Sequence, residues 1–245
     1  MRIKDKIENI SYVNTLDFFK SRAKKYSENN PYSVTMYQDE HPDLVKQRNL
    51  EEIKKLKPLL LLDKKSRILD VSCGIGRWSD AINTEIEEYC GVDFCSDFIE
   101  LAKERNGKDN RFFYVSENTK IEQCMNRVGK KNFNRVLLVG ALMYLNDADV
   151  QSTLMQIERL CNEHAIICIR EPIGIDERLT LKDQFSNELQ DDYNAIYRTK
   201  EELEIIFKKT LANKGFSVAE SDFMYKQKEL NNRKETTQFY WILKR

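Results

Sequence analysis

Between residues 67 and 170, short apolar runs alternate with amphipathic stretches of helical periodicity. Five strands are predicted in this part of the chain: Arg67–Ser72, Glu88–Val92, Arg111–Val115, Arg135–Val139 and Ala165–Arg170. Helices are predicted between them at Arg77–Asn83, Ser96–Arg105, Thr119–Val128 and Asp147–Asn162. This alternation predicts an α/β fold, in which a doubly wound and mostly parallel sheet is covered by helices on both faces.

Further elements are predicted before residue 67 and after residue 170. Residues 1–65 are polar and lack strand patterns, and helices are predicted there near Thr15–Tyr26 and Pro42–Lys57. They are expected to form a helical lid segment, with residues 30–49 as the lid itself, on a main domain of residues 66–245 within one compact unit. After Arg170 the chain is predicted to be irregular to about Arg198. The elements predicted last are a helix, Lys200–Lys214, and two strands, Phe216–Tyr225 and Thr236–Leu243, which as an antiparallel hairpin at the sheet edge would give seven strands.

Charge and apolar content narrow the classes of function. The chain has 245 residues, and its 40 Lys and Arg balance its 40 Asp and Glu, so no nucleic-acid partner is expected. The start lacks an apolar signal sequence, and the longest apolar run, Val136 to Leu145, is far shorter than the roughly 20 residues that span a bilayer. Six cysteines without a C-x-x-C pair are expected to be reduced thiols. We therefore expect a cytoplasmic protein that does not insert into a membrane.

The sequence ILDVSCGIGRW at residues 68–78 places a buried strand directly before a glycine turn and a helix. Gly74 has no Cβ, which lets a ligand approach the backbone closely, and Gly76 permits a tight turn. The helix that follows offers free N–H groups at its start. Because many strand–helix turns carry two glycines for packing alone, this signal needs a second one beside it.

The second signal is an acid at the end of the next strand. Asp93 follows the apolar run YCGV and lies 23 residues after Asp70. An acid in this place can accept both hydroxyls of a ribose, which indicates a nucleoside cofactor. The alternative is that Asp93 caps the helix at Ser96. A dinucleotide site would need G-x-G-x-x-G, but Ser79 occupies the third position and bulky Trp78 leaves little room for a pyrophosphate.

The run D-x-x-C-G-x-G-x-W, from Asp70 to Trp78, resembles motif I of the class I S-adenosylmethionine-dependent methyltransferases. The order of elements is similar to that family over roughly residues 65–245. The resemblance implies a Rossmann-like fold, S-adenosyl-L-methionine as cofactor and S-adenosyl-L-homocysteine as product. It also implies a set of cofactor-binding positions: Ser72, Cys73, Gly74, Gly76 and Trp78 at the turn, Asp93 at the ribose, Phe94, Ser116 and Glu117 near the adenine, and Val139 and Gly140 at the methionine.

Further positions are hypothesised on the acceptor side. Tyr144 falls where relatives often carry a His, and N-terminal helices that form a lid in this family would bring His41 towards the methyl group. Arg170 and Glu171 end the fifth strand, where ligands bind in doubly wound sheets. Tyr197 and Arg198 belong to a segment similar to the Y-R-[ST] of relatives. His41, Tyr144 and Glu171 are therefore the predicted catalytic residues, and Tyr144, Arg170, Tyr197 and Arg198 are the predicted substrate ligands.

Residues 30–49 are similar to N-terminal segments of small bacterial methyltransferases encoded among surface-polysaccharide genes. This likeness implies that Tyr37 and Arg48 bind the cofactor carboxylate or the substrate. The predicted acceptor is a small polar molecule that takes the methyl group on oxygen or nitrogen. A sugar, or a phosphorylated or nucleotide-linked precursor of a surface polysaccharide, would fit this description.

Two alternatives remain open at this point: a nicotinamide-dependent oxidoreductase on the same sheet, and a methyltransferase-like scaffold without activity. The missing third glycine counts against the first, and the presence of Gly74, Gly76 and Asp93 counts against the second. No metal is expected, because Asp147, the first acid after the fourth strand, is predicted to cap a helix. Nothing in the sequence indicates the oligomeric state.

Overall fold

The computed structural model of the protein describes residues 1–231 and 233–245. In this part of the chain the strands are β1 Arg2–Lys4, β2 Arg67–Val71, β3 Glu88–Asp93, β4 Arg111–Val115, β5 Phe133–Val139, β6 Cys161–Gly174, β7 Leu179–Ser186, β8 Asp191–Tyr197, β9 Ser217–Phe223 and β10 Thr236–Lys244. The helices are α1 Tyr12–Lys24, α2 Ser33–Met36, α3 Pro42–Leu56, α4 Arg77–Ala81, α5 Ser96–Asn106, α6 Ile121–Arg127, α7 Asp147–Leu160 and α8 Lys200–Thr210. None of these helices is long and apolar enough to cross a membrane.

Seven strands form the central sheet in the order β4-β3-β2-β5-β6-β10-β9. The first five strands in this order, β4 to β6, pair with one another in parallel. This pairing confirms the predicted doubly wound α/β sheet. Successive side chains of a strand point to opposite faces, and accordingly Ile68 and Leu69 belong to separate apolar clusters on the two sides of the sheet. The inner strands are buried on both faces, which explains their nearly unbroken apolar sequences.

The C-terminal hairpin closes one edge of this sheet, as predicted. β10 pairs antiparallel with β6, and β9 pairs antiparallel with β10 and is the outermost strand. The helix before the hairpin is shorter than predicted, because α8 ends at Thr210 and a 3-10 turn follows over Ala212–Lys214. Gly215, with φ of +88°, caps that turn in the left-handed conformation, where a residue without a Cβ avoids strain.

The segment between Arg170 and Arg198 differs from its prediction as irregular chain. β6 continues to Gly174, and β7 and β8 form an antiparallel hairpin whose free edge pairs with β1. β1 has only three residues, and its partner lies more than 170 positions away in the sequence. A strand this short depends on its partner and carries no pattern of its own, so this three-stranded sheet was not predicted.

The N-terminal helices cover the end of the central sheet at which β2, β3 and β5 finish. α1 packs against β8 and α5, and α2 lies between α1 and α3. Arg22 of α1 is fully buried and fixes the chain after α2: it donates to the Ser33 carbonyl at 2.6 Å and to both oxygens of Asp39 at 2.6 Å. The segment that follows α2 is therefore tied to α1 directly above the glycine turn.

Candidate cofactor and acceptor site

The glycine turn after β2 is shaped by left-handed backbone conformations. Ser72, Gly74 and Gly76 have φ of +59°, +55° and +79°. A Cβ on Gly74 would lie 2.8 Å from Thr35 Cγ2, so both the backbone angle and the approach of α2 require glycine there. Gly76 instead faces the interior, where a Cβ would meet Asn106 Nδ2 at 2.7 Å. The turn is thus closed on one side by the N-terminal segment.

Asp93 is held against this turn. Its Oδ2 accepts the Gly74 N–H at 2.9 Å, and its Oδ1 accepts the Cys95 N–H at 2.9 Å. The cap residue of α5 is Cys95 rather than Asp93, so the helix-cap alternative does not account for the position of this acid. Burial raises the pKa of the Asp93 carboxyl to about 6, against the backbone donors that favour its ionised form.

A first cavity of about 420 Å³, called here the cofactor cavity, opens beside Asp93. Its lining includes nine of the residues predicted from the sequence: Tyr37, Ser72, Gly74, Asp93, Phe94, Glu117, Val139, Gly140 and Tyr144. Asn118 lines it too and follows Ser116 and Glu117 in the segment that the resemblance places near the adenine. Sequence reasoning missed the others: Tyr12, Val13, Thr15, Leu16 and Phe19 from α1, and Thr35, Phe98, Thr119 and Leu145. Ser116 lies just outside, where its hydroxyl donates to the Glu117 carbonyl at 3.0 Å.

A second cavity of about 430 Å³, called the acceptor cavity, adjoins the first. Seven residues line both cavities and are called the junction: Thr35, Tyr37, Ser72, Gly74, Val139, Gly140 and Tyr144. The acceptor cavity, and not the cofactor cavity, contains Cys73 and Trp78 from the turn, which were predicted to bind the cofactor. It also contains Tyr197 from β8, which was predicted to bind the substrate. Much of its remaining wall comes from the unexpected β1-β7-β8 sheet, including Leu179, Leu181 and Phe185.

The acceptor cavity is strongly cationic. Its lining has six basic side chains, Arg2, Arg48, Arg77, Arg170, Arg233 and Lys234, and two acidic ones, Asp70 and Glu235. Glu235 lies at the periphery, where it pairs with Arg2 and Lys4. Burial raises the pKa of Asp70 to about 7 despite the hydrogen bond that it accepts from Tyr89. The positive charges therefore exceed the negative ones around this space.

Two of these arginines are anchored by a buried glutamate that sequence reasoning missed. Glu52 of α3 is 0% exposed, with Oε1 2.6 Å from Arg77 Nη2 and Oε2 2.5 Å from Arg170 Nη2. Burial opposes its ionisation, but the two guanidinium groups hold the pKa of Glu52 below its usual range. The amphipathic pattern of α3 did not predict this position, because that pattern assigns charged side chains to the solvent-exposed face of a helix.

Tyrosine hydroxyls gather at the junction and in the adjacent wall of the acceptor cavity. The hydroxyls of Tyr37 and Tyr144 share a short hydrogen bond, and that of Tyr144 lies 2.9 Å from the hydroxyl of Tyr193. Burial raises the pKa of all three phenols above the usual value. These hydroxyls therefore stay protonated near neutral pH, where they donate and accept hydrogen bonds without carrying charge.

Glu171 and Arg198 were predicted to contact the substrate, but the structure gives them a different role. Glu171 is buried outside both cavities, where it accepts the N–H groups of Ala141 at 2.7 Å, Leu142 at 2.9 Å and Met143 at 3.1 Å. Arg198 is likewise buried and donates to the Leu142 and Leu145 carbonyls at 2.9 and 2.6 Å. Both side chains are consumed in fixing the turn that carries Tyr144, so the structure favours a positioning role for them.

His41, the third predicted catalytic group, is exposed at the start of α3 and lines neither cavity. The lid expected over residues 30–49 nevertheless reaches the site through other side chains. Thr35 and Tyr37 line both cavities, and Met36, Gln38 and Arg48 line the acceptor cavity. The contribution of this segment is therefore made by α2 and the residues after it.

Residues 68–164 match the sequence model of a family described as a methyltransferase domain. The chain is also 31% identical over 107 residues to the 23S rRNA (uracil(1939)-C(5))-methyltransferase RlmD of Xanthomonas campestris pv. campestris. That match takes in 42% of this chain and 24% of RlmD, so the chain spans about a quarter of the length of the curated relatives it matches.

Solved structures resemble this fold over nearly the whole chain. A SAM-dependent methyltransferase of Leishmania major has a TM-score of 0.64 at 14% identity, over 92% of this chain and 82% of its own. Phosphoethanolamine N-methyltransferase 1 of Haemonchus contortus, in complex with phosphoethanolamine and S-adenosylhomocysteine, has a TM-score of 0.65 at 19% identity, over 96% and 50%.

DhpI in complex with SAH is a third example, with a TM-score of 0.61 at 13% identity over 94% of this chain and 95% of its own. At such identities these likenesses establish the fold, and the sequence match covers the part that contains the glycine turn and Asp93. Together with the strand order, they show that this chain has the fold of S-adenosylmethionine-dependent methyltransferases and that its residues 68–164 match a methyltransferase domain.

Proposed function

We propose that this protein transfers a methyl group from S-adenosyl-L-methionine to a small anionic acceptor. The observation that carries the proposal is the joining of the two cavities at Tyr37, Gly74 and Tyr144. One cavity has the features of a nucleoside site, and the other is lined mainly by cationic side chains. Methyl transfer requires a donor and an acceptor to meet in line at a site that excludes water, and the junction provides such a meeting point.

The residues of the cofactor cavity fit the donor. Gly74 lines this cavity and its N–H holds the carboxylate of Asp93, which retains lone pairs for the two ribose hydroxyls. Phe94 and Phe98 supply apolar surface for an adenine ring. The sulfonium of the bound donor supplies an electrophilic methyl group, and the protein's share is to hold the nucleophile in line with it.

The acceptor cavity favours an anion of small size. Arginine guanidinium groups bind phosphate and carboxylate through paired hydrogen bonds. Arg170 and Arg77 are held in place by Glu52, so little side-chain entropy is lost when they engage a ligand. Phosphorylated or nucleotide-linked sugars, the acceptor class suggested by the sequence, carry anionic groups of this kind. The methylated atom is an oxygen or a nitrogen.

The first experiment is a binding titration with S-adenosylhomocysteine and with NAD. We expect S-adenosylhomocysteine to bind and NAD to give no response, and the opposite result would contradict the proposal. The second measures methyl transfer from radiolabelled S-adenosylmethionine to sugar phosphates, a nucleotide sugar, phosphoethanolamine and a 23S rRNA fragment. Transfer to the rRNA alone would replace the small anionic acceptor by a nucleic acid.

A matched pair of variants tests the basic cavity itself. Arg170→Lys keeps the charge beside Glu52 but loses the planar fork, so inorganic phosphate should bind the S-adenosylhomocysteine-loaded protein about tenfold more weakly. Arg159→Lys makes the same exchange at a half-exposed pair with Glu122, away from both cavities, and should leave phosphate binding as in the unaltered protein. Equal phosphate affinity in the two variants would remove Arg170 from the acceptor site.

A further inference from the structure

The junction, where donor and acceptor would meet, is lined by no histidine or carboxylate among the described residues. Its side chains belong to Thr35, Tyr37, Ser72, Val139 and Tyr144, together with the bare backbone of the two glycines. Both histidines of the chain, His41 and His164, are exposed and line neither cavity. The usual groups that remove a proton from a nucleophile are therefore missing at this point.

The nearest acids are engaged elsewhere. Asp70 lines the acceptor cavity outside the junction and accepts a hydrogen bond from the Tyr89 hydroxyl. Asp93 and Glu117 line only the cofactor cavity, and Glu235 pairs with the basic side chains of β1. None of these carboxylates lines both cavities, and the one that touches the junction, Asp93, is bound there to the Gly74 N–H.

The tyrosines at the junction do not replace a base. The hydroxyls of Tyr37 and Tyr144 are bonded to each other and, through Tyr144, to Tyr193. Burial raises the pKa of these phenols, so they stay protonated. A protonated phenol can donate a hydrogen bond to an anion, but it does not accept a proton from a neutral nucleophile. An oxyanion held by such donors would meet hydrogen bonds on its non-reacting oxygens.

We infer that the accepting atom is an oxygen that is already ionised, so that the product is a methyl ester of a phosphoryl or carboxyl group. This inference rests on the proposed function and narrows its acceptor. An oxyanion lone pair forms the new O–CH₃ bond while the S–CH₃ bond breaks, and the electron pair of that bond stays on sulfur as a neutral thioether. One positive and one negative charge disappear together, and no proton is taken up or released.

The structure supports this step in two ways. The cationic side chains that include Arg77 and Arg170 draw an anion into the acceptor cavity, whereas they would repel the ammonium form of an amine. Removal of water from a charged nucleophile also favours a reaction in which opposite charges are neutralised. The apolar side chains of Val139 and of the β7–β8 hairpin line the same space.

Proton release distinguishes the possible acceptors. Methylation of a hydroxyl or of an ammonium group releases one proton for each S-adenosylhomocysteine formed, and methylation of an oxyanion releases none. The assay runs in weakly buffered solution with a pH indicator at about pH 8, well above the second phosphate pKa of about 6. The probes are ethyl phosphate, glucose 1-phosphate, phosphoethanolamine and, for the carboxyl source, glucuronate.

We expect fewer than about 0.1 protons per S-adenosylhomocysteine, with a phosphodiester signal by phosphorus NMR or an alkali-labile carboxyl ester. Phosphoethanolamine and glucose 1-phosphate each offer a competing amine or hydroxyl, so the site of methylation in their products is informative. One proton per turnover, or methyl on nitrogen or on a sugar hydroxyl, overturns the inference and leaves the proposed function standing. Failure of every probe in both this assay and the phosphate titration overturns the two together.

Discussion

Asp93 accepts a hydrogen bond from the backbone N–H of Gly74 at 2.9 Å, which joins the end of β3 to the glycine turn after β2. These two residues were the two signals in the sequence that indicated a nucleoside cofactor. Their contact shows why both are needed: the acid fixes the turn, and the turn presents the acid to the cofactor cavity. A substitution at either position should therefore be felt first in cofactor affinity.

Asp93→Ala should weaken S-adenosylhomocysteine binding more than tenfold. Two charge-assisted hydrogen bonds to the ribose would be lost, each worth about 1.5–3 kcal/mol, and about 1.4 kcal/mol corresponds to tenfold. Glu117→Ala is the control, since its side chain lines the same cavity but is 59% exposed and pairs with Lys120. Titration calorimetry of both variants decides the matter, and equal losses would deny Asp93 its special role.

Cofactor affinity should also depend on pH through Asp93. Its pKa is raised to about 6 by burial, and the ionised form is the better acceptor for ribose hydroxyls. Binding should therefore be at full strength above pH 6 and weaken as the pH falls through that value. Asp93→Asn carries no titrating group there, so its weaker binding should be independent of pH in the same range. A parallel decline in both proteins would assign the dependence to another group, such as Asp70.

Gly74→Ala should lower S-adenosylhomocysteine affinity tenfold or more. Alanine at φ of +55° is strained by about 1–2 kcal/mol, and its Cβ would push against Thr35, which lines both cavities. Gly129→Ala is matched for strain, with φ of +70° and open space around the added Cβ. Both variants should lose similar stability in urea, but Gly129→Ala should bind the ligand normally. Normal binding by Gly74→Ala would show that α2 yields without cost to the site.

Glu52→Gln should destabilise the fold by about 3–5 kcal/mol, because it leaves two buried guanidinium groups without their shared anion. For a chain of this size that corresponds to a melting temperature about 6–20 °C lower. Glu51→Gln, one position earlier on α3, removes a carboxylate that is 3.9 Å from exposed Lys54 and should change stability by less than about 0.5 kcal/mol. If the two melting temperatures agree, the buried network contributes little to the fold.

The parts of this protein that the sequence predicted well are those with local signals. The apolar run before Gly74 and the acid after the next strand indicated the sheet and the turn, because each depends on neighbouring residues. The ribose position stays a prediction. The parts that were missed depend on distant pairing. β1 becomes a strand only against β7, and Glu52 acquires its role only when Arg77 and Arg170 reach it from two other elements.

The acceptor side shows the same division. Arg170 lines the acceptor cavity, on the side of the sheet where ligands bind in doubly wound folds, although β6 continues past it to Gly174. Glu171 is its neighbour in sequence, but alternation along β6 sends it to the other face, where it binds the turn at Ala141 and Leu142. Which of two adjacent polar residues in a strand faces a cavity depends on the register of that strand. The sequence alone did not show which of these two residues faces the cavity.

The last prediction concerns the segment of residues 30–49. Arg22 holds this segment through Asp39 and the Ser33 carbonyl, and its guanidinium lies over the ring of Tyr37 at 5.4 Å. Tyr37 has φ of +64°, a strained conformation that the surrounding contacts must maintain. We expect hydrogen exchange in residues 30–49 to slow when S-adenosylhomocysteine is bound, because a ligand at the junction touches Thr35 and Tyr37.

Arg22→Lys keeps the charge but loses the forked pair with Asp39, so exchange in the same segment should be at least about tenfold faster than in the unaltered protein. The ligand should then bind more weakly, since part of its binding energy would be spent on ordering the segment. Arg159→Lys makes the same exchange at a pair with Glu122 that lines neither cavity, and it should leave the exchange of residues 30–49 unchanged. Exchange that is fast and identical with and without ligand, together with normal affinity in Arg22→Lys, would mean that this segment does not close over the cofactor and that β7, β8 and the turn at Tyr144 enclose the acceptor alone.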